Sequence, residues 1–361
     1  MKKLLSLLLM LILLCGCGGC SGSQTFQEER IVLNVYNWGQ YISDGSDGTL
    51  DVIAAFEEKY PHIKVNYSTY DSNEIMYTKL AAGGITVDVI IPSDYMIARM
   101  IEENMLCELN FDNISNSRYI DEDILEKSAA YDPEGKYSVP YAWGTVGIIY
   151  NTKYVDEADV TGWELLWNEK YDDKILMFDN SRDAFGIAEY ILGYSVNTTD
   201  PEELQACADL LAKQKPLVQQ YVMDQIYDLM ENEEAWIAPT YAGDYLVMSE
   251  ENEDLAFYLP EDQGFNLFID AMCIPKCCKE KEAAELFINF LCEPEIAAGN
   301  MEWIAYSTPI SEAKAYMDPD MVNDPVSYPS QELLSHGTSY DCLPASVSRY
   351  MESLFLKARI S

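Results

Sequence analysis

Histidine is almost missing from this chain of 361 residues: His62 and His336 are the only two. Two isolated histidines do not build the usual zinc enzyme, and a Ser-His-Asp triad would need one of them in place. His62 follows Pro61 at the expected end of a helix and reads as a surface residue. Three motifs are absent too: the G-x-S-x-G elbow, the G-x-x-x-x-G-K-S/T phosphate loop and the G-x-G-x-x-G fingerprint. These absences lower the case for catalysis without closing it, and no metal or cofactor is expected. Basic residues are scarce as well. Lys and Arg number 23 against 61 Asp and Glu, a formal charge of −38. Without Lys2 and Lys3 the balance is 21 against 61, or −40. Such a surface repels nucleic acid and anionic lipid, so no nucleic-acid partner is expected.

Long apolar runs are lacking after the first 16 residues, so no later segment can span a bilayer as a helix. The N-terminus itself has a positive pair, Lys2-Lys3, and an apolar run from Leu4 to Leu14 that fits an export signal. Then come Leu14-Cys15-Gly16-Cys17 and a Gly-, Ser-, Gln- and Glu-rich stretch to residue 29, which reads as a flexible tether. A leucine three before a cysteine, with small residues between, resembles the lipobox of bacterial lipoproteins. On that resemblance Cys17 is the acylated N-terminus, with Cys20 and Cys15 as weaker candidates. Ten cysteines suggest a disulfide framework until they are located. Three lie before residue 21, and the other seven are Cys107, Cys207, Cys273, Cys277, Cys278, Cys292 and Cys342. Seven is odd, and a body of this size does not need stapling. Cys273 with Cys277-Cys278 does not match a zinc spacing. One or two disulfides stay open, with no connectivity to be read from spacing.

What is present is an alternation of strands and helices. Ile31-Val32-Leu33-Asn34-Val35 predicts a buried strand, and Tyr36-Asn37-Trp38-Gly39-Gln40-Tyr41 follows it. Aromatics at a strand's carboxyl end are either a capped core or the wall of a pocket, since ligands in open α/β sheets sit just beyond strand ends. A helix over 49–60, a strand over 63–67, a helix over 72–82 and a strand over 87–91 come next. The last ends at Pro92-Ser93-Asp94-Tyr95. The β-α-β-α-β order implies a parallel sheet. Residues 131–151 predict an extended crossing segment. Strands over 175–178, 236–240, 255–259 and 266–269 are predicted beyond it, with helices over 184–192, 201–214, 221–232 and 280–292. The turn Ala305–Pro309 marks a second crossing, and the remainder is expected to be helical and acidic.

Polar and aromatic groups recur at the strand ends: Trp38 with Tyr41, Ser93 with Tyr95, Asp183, and Tyr241 with Asp244. Asp183 reads equally well as an acid at a helix N-terminus. Asp270 stands in a nearly unbroken apolar run, from Phe268-Ile269 to Ala271-Met272-Cys273. Carboxylates are rarely buried unless paired, and basic residues are scarce nearby. Ammonium groups from a ligand would supply the missing partner, and aromatic faces would add cation–π attraction of about 0.5–2 kcal/mol each.

Together these stretches resemble the spermidine/putrescine-binding proteins of bacterial ABC importers. The resemblance is carried by Tyr36–Ile42, Asp88–Ser93, Ser181–Phe185, Leu192–Asp200, Tyr241–Asp244, Asp270–Pro275 and Tyr306–Pro309. It implies an α/β, two-lobed periplasmic-binding-protein fold of type 2. Each lobe is then a mostly parallel sheet flanked by helices, with the ligand cleft between them. The expected division is a signal peptide (1–16), a lipidated tether (17–29), a first lobe (30–142 plus 271–308) and a second (143–270 plus 309–361). The resemblance puts Trp38, Tyr41, Ser93 and Tyr95 on one wall and Asp183, Tyr241 and Asp244 on the other. Phe268 and Asp270 lie near the hinge, and Tyr306 closes one end. It further implies a monomer that delivers a polyamine to an ABC permease, outside the cytoplasm and held at the membrane by lipid. Four departures bear on ligand length. Asn180 stands where an acid is common, Tyr241 and Phe268 stand where tryptophans are common, and Asp244 adds a carboxylate nearer the putrescine-type pattern. Gln40 is not the acid that pattern would carry. The alternatives are a binding protein for an amino acid or sugar, and a carboxylate-based hydrolase. An amino acid needs a cation for its carboxylate, and only Arg182 is near these motifs.

Overall fold

A computed structural model describes residues 30–360; the expected signal peptide and tether, with Cys17, lie outside the described residues. Ten strands are present among the described residues. They are β1 (Ile31–Trp38), β2 (Ile63–Tyr70), β3 (Val89–Ile90), β4 (Ser138–Asn151), β5 (Ile175–Phe178), β6 (Val218–Val222), β7 (Ile237–Tyr241), β8 (Leu255–Tyr258), β9 (Phe265–Cys273) and β10 (Gly337–Thr338). The order through the sheet is β2-β1-β3-β9-β4-β7-β5-β6.

The N-terminal strands run parallel, with Ile31 opposite Ile63 and Val35 opposite Val89. Parallel neighbours need crossover connections, and the helices Val52–Lys59 and Asn73–Ala82 supply them. Asp51 caps the first and Ser72 the second, each accepting a main-chain N–H. Gly83, at φ +67°, ends the second. A second parallel set, β7-β5-β6, follows the same logic. Each set is therefore mostly parallel, and helices cover it.

Two long strands join the sets. The first half of β4, Ser138 to Thr145, pairs antiparallel with β9. Its second half, Val146 to Asn151, lies between β7 and β8. Thus β4 leaves one sheet and enters the other without a break. Every residue of β9 is buried, as expected of a strand covered on both faces. Ala142 faces Asp270 across this ladder, beside a bulge at Pro140.

Several expectations need correction. The first strand continues to Trp38, so Tyr36 and Asn37 are buried within it rather than beyond it. The stretch read as a helix over 221–232 is the end of β6 followed by a short helix, Ile226–Glu231; the β-branched and aromatic Val218, Tyr221 and Val222 favour the strand. The helix placed at 184–192 starts at Ser181, capped by Asn180, which puts Asp183 in its first turn. Asp270 sits inside β9, not at a strand end. The C-terminal remainder is not wholly helical, since β10 pairs with Phe265 and Asn266 of β9. All seven cysteines among the described residues are free. No helix among those residues is long and apolar enough to cross a membrane.

Candidate functional site

The carboxyl ends of both parallel sets point at one cavity between them. The chain leaves β1 with Trp38, whose indole N–H donates to the carbonyl of Ile91 at 2.8 Å. That bond fixes the ring, and its face is left on the cavity wall. Gly39 follows, and the opposite wall comes so near that a Cβ here would lie 2.1 Å from Asp224 Oδ2. At the end of β3, Ser93 precedes the helix Asp94–Glu102. Asn73 ties this wall together. Its Nδ2 donates to Ser93 Oγ and to the Tyr95 hydroxyl, both at 3.1 Å. Tyr95 in turn donates to Glu74 Oε1 at 2.9 Å.

From the second set, β5 ends at Phe178, and Asn180 caps the next helix by accepting from Asp183 N–H at 2.8 Å. Asp183 Oδ2 accepts from Asn180 Nδ2 at 2.7 Å and from the Tyr241 hydroxyl at 2.6 Å. β7 ends at Tyr241 and leads into the helix Ala242–Glu251, with Asp244 in its first turn. Asp244 Oδ1 accepts from the Tyr306 hydroxyl at 2.6 Å. Gly243 is required beneath that ring, because a Cβ would meet Tyr306 Cδ2 at 2.2 Å.

Side chains alternate across a strand. Phe268 and Asp270 therefore share one face of β9, and both line the cavity. Asp270 Oδ2 accepts from the Tyr41 hydroxyl at 2.7 Å. The Ser93 side chain is the other hydroxyl acting on this carboxylate, and no cation reaches it. Aromatic rings connect these groups: Tyr41 meets Tyr306 at 4.9 Å, and Phe268 meets Tyr241 at 5.5 Å, both edge-on. The space enclosed is about 910 Å³, counted with the solvent at its mouth.

All ten residues singled out from the sequence therefore line one cavity: Trp38, Tyr41, Ser93, Tyr95, Asp183, Tyr241, Asp244, Phe268, Asp270 and Tyr306. Sequence reasoning missed Glu74, Asp224, Tyr227 and Tyr340, which line it too. Glu74 stands four residues beyond the end of β2, and the strand-end rule that picked out Trp38 would have reached it. Asp224 and Tyr227 were hidden by the helix read over 221–232, and Tyr340 carries no local signal.

The electrostatics are one-sided. Six carboxylates line the cavity, those of Glu74, Asp94, Asp183, Asp224, Asp244 and Asp270, with no Lys, Arg or His among the lining residues. Burial is the main cause that pushes Asp244 and Asp270 each up to about 6 and Asp94 up to about 8. It also raises Asp183 and Glu74. Four of the acids meet a tyrosine hydroxyl instead of a cation. Arg182 lies behind the wall, 4.0 Å from the Tyr340 ring. Its guanidinium donates to the Val196 carbonyl at 2.7 Å and to Asn197 Oδ1 at 2.8 Å. It does not line the cavity, so it offers no seat for an amino acid's carboxylate.

Known proteins share this architecture. The profile of the bacterial extracellular solute-binding proteins matches residues 51–328. The spermidine/putrescine-binding periplasmic protein of Escherichia coli K12 is 32% identical over 342 residues, which is 94% of this chain and 95% of that one. A solved Listeria monocytogenes protein, assigned to a spermidine/putrescine ABC transporter, is 38% identical, with a TM-score of 0.85. That alignment covers 91% of this chain and 99% of the Listeria one. The TpPotD lipoprotein of Treponema pallidum is 28% identical over 91% of this chain and all of its own, with a TM-score of 0.79. Two sheets joined by crossing strands, a cavity between them and a match over most of the length agree: the chain belongs to the family of bacterial extracellular solute-binding proteins.

Proposed function

We propose that this protein captures a polyamine, spermidine or putrescine, in the acidic aromatic cavity and hands it to an ABC permease. One observation carries the reading most. Asp270 is buried with only the hydroxyls of Tyr41 and Ser93 acting on its carboxylate, in a cavity whose lining holds no cation. A buried carboxylate without a counter-charge is costly, and a ligand ammonium removes that cost. Asp183 and Asp244 take further ammonium groups. The rings of Trp38, Tyr41, Tyr95, Tyr241, Phe268 and Tyr306 flank the methylene chain, at about 0.8 kcal/mol per buried CH₂. Ser93 braces the wall through Asn73. A sugar would use the rings but leave the acids unpaired.

The same reading divides the chain at the crossing strands, into 30–142 plus 271–308 and 143–270 plus 309–361, with β4 and β9 as the hinge. It places the protein outside the cytoplasm, held to the membrane by lipid on Cys17. The Treponema relative is itself a lipoprotein. Replacing Cys17 with Ser is expected to release the protein from the membrane fraction. Retention with lipid label would move the anchor to another cysteine. The ligand is tested by calorimetry with putrescine, spermidine, spermine, arginine and maltose. Micromolar or tighter binding of a polyamine alone is expected, and heat from arginine or maltose only would overturn the reading.

A further inference from the structure

Residues 192–200 are among the stretches that resemble the polyamine-binding proteins, yet none of them lines the cavity. They join the helix Ser181–Leu192 to the helix Pro201–Gln214. Gly193, at φ +69°, ends the first, and Asp200 caps the second by accepting from Glu202 N–H at 2.8 Å. Between them Thr198 N–H closes a turn on the Ser195 carbonyl, and Asn197 N–H donates to Ser195 Oγ at 3.2 Å. The loop is held at both ends and across its middle, and the Asn197 side chain reaches out of it to a distant part of the chain.

That part is the irregular segment 339–344, between β10 and the helix Ala345–Ile360. Asn197 Nδ2 donates to the Ser339 carbonyl at 3.2 Å, and its Oδ1 accepts from the Asp341 N–H at 2.8 Å. Both bonds go to main chain, one on each side of Tyr340. Arg182 donates to the same Oδ1 at 2.8 Å and lays its guanidinium 4.0 Å from the centre of the Tyr340 ring. Tyr95 meets that ring edge-on at 6.2 Å. Tyr340 is buried, lines the cavity, and its hydroxyl acts on the Asp183 carboxylate. Gly186 leaves room for the hydroxyl, since a Cβ there would lie 2.1 Å from it. An irregular segment has no ladder to hold its main chain, so side-chain bonds must do so. β9 holds the chain as far as Ser339, whose Oγ donates to the Leu267 carbonyl at 2.8 Å. Asn197 takes over there and carries the hold past Tyr340 to Asp341.

We infer that Asn197 is a positioning residue of the binding site: from outside the cavity it fixes Tyr340 against Asp183 and so raises the affinity for the cation. This rests on the polyamine reading of the cavity. A ring fixed beforehand needs little further ordering when the ligand arrives, whereas a freed one must be ordered at that moment.

Asn197→Ala removes both main-chain bonds and leaves every lining residue in place. Its spermidine dissociation constant is expected to rise about tenfold, the scale of one or two hydrogen bonds. The same change is then made beside Tyr340→Leu, which keeps an apolar group and removes the ring and its hydroxyl. There it is expected to alter the constant by less than about twofold, because the two residues act as one. Equal losses in both backgrounds would show that Asn197 supports the fold at large, and no loss in the first would leave it outside the site; either overturns the inference. Hydrogen exchange reads the clamp without ligand and without the Leu variant. In Asn197→Ala the Asp341 amide is expected to exchange at least about tenfold faster than in the parent, with β9 unchanged. Unaltered exchange at Asp341 would also overturn the inference. A parent that binds neither spermidine nor putrescine would refute the polyamine reading itself, and exchange would then decide alone whether Asn197 holds Tyr340.

Discussion

Replacing Asp270 with Asn is expected to weaken binding and strengthen the unliganded fold at once. The two effects have one cause. Asp270 is 5% exposed, and its carboxylate meets the Tyr41 and Ser93 hydroxyls but no cation. Asparagine keeps the shape and can still accept from Tyr41, but it brings no charge to pair with an ammonium. Truncating one partner of a buried charge pair costs about 2–5 kcal/mol, so affinity for a polyamine should fall roughly 30- to 5,000-fold. Stability moves the other way. The carboxyl titrates at about 6 in the fold against 3.8 as its ordinary value. A raised carboxyl contributes stability that is complete below its unfolded value and is lost as pH rises through the folded one. Each pH unit of that difference is about 1.4 kcal/mol, and over the window between pH 4 and pH 7 the parent gives up about 2.4 kcal/mol. The Asp270→Asn variant has no such loss. Urea titrations of both proteins without ligand, at pH 4 and pH 7, should show the variant gaining on the parent as pH rises. Calorimetry at pH 7 should show its lost affinity. A variant that binds polyamine like the parent would refute the pairing. One that is no more stable than the parent at pH 7 would refute the claim that the acid is buried at a cost.

Polyamine affinity should itself fall with pH, because Asp244 and Asp270 titrate at about 6 in the free protein and bound ammonium groups hold them ionised. With two such groups the dissociation constant should rise about 100-fold between pH 7 and pH 5, and a flat profile would show that neither acid meets the ligand. Gly243→Ala should cost about 1–3 kcal/mol of stability and weaken binding, since the new methyl displaces the Tyr306 ring that holds Asp244; a thermal melt and a titration read both. Trp38→Ala should weaken polyamine binding by only about 1–2 kcal/mol, from lost cation–π and apolar contact, and calorimetry measures it. Small-angle scattering should record a smaller radius of gyration with saturating polyamine, if β4 and β9 act as hinge strands, and an identical curve would oppose a closing cleft.

The parts of the site that could be read from sequence sit where local rules hold. Strand ends deliver side chains to a cleft, and Trp38, Ser93 and Tyr241 follow that rule at β1, β3 and β7. Asp270 was legible for a different reason. An acid within an apolar run is a contradiction that only a partner resolves, so it marks itself without any knowledge of the fold. Asp224 and Tyr227 were lost because Tyr221-Val222, the end of β6, was read as the start of a helix over 221–232, and a wrong period conceals the strand end that matters. Tyr340 was beyond reach on physical grounds: its place against Tyr95 and Arg182 is set by tertiary packing of a segment far away in the chain. The two crossing strands were legible as extended segments. The sharing of β4 between two sheets was not, because nothing in a strand's own sequence names its neighbours.

The choice of tyrosine as the companion of these acids explains how an empty cleft can stay ready for a cation. Glu74, Asp183, Asp244 and Asp270 each accept from a tyrosine hydroxyl, those of Tyr95, Tyr241, Tyr306 and Tyr41. A lysine in the same place would neutralise the acid, and an incoming ammonium would then have to break an ion pair to make one. A hydroxyl fixes the direction of the carboxylate while leaving its charge uncompensated, so the ligand adds a partner instead of replacing one. Orientation is set beforehand, and little ordering remains to be done on binding. The uncompensated charge also makes closure depend on the ligand. Bringing the walls together around several anions lifts their pKa values, which is a cost borne by the closed state alone. A polycation removes that cost, and only a ligand with differential affinity for one conformation can shift the equilibrium toward it. On the polyamine reading the acids act twice, once as contacts and once as a mutual repulsion across the cavity that a polycation relieves.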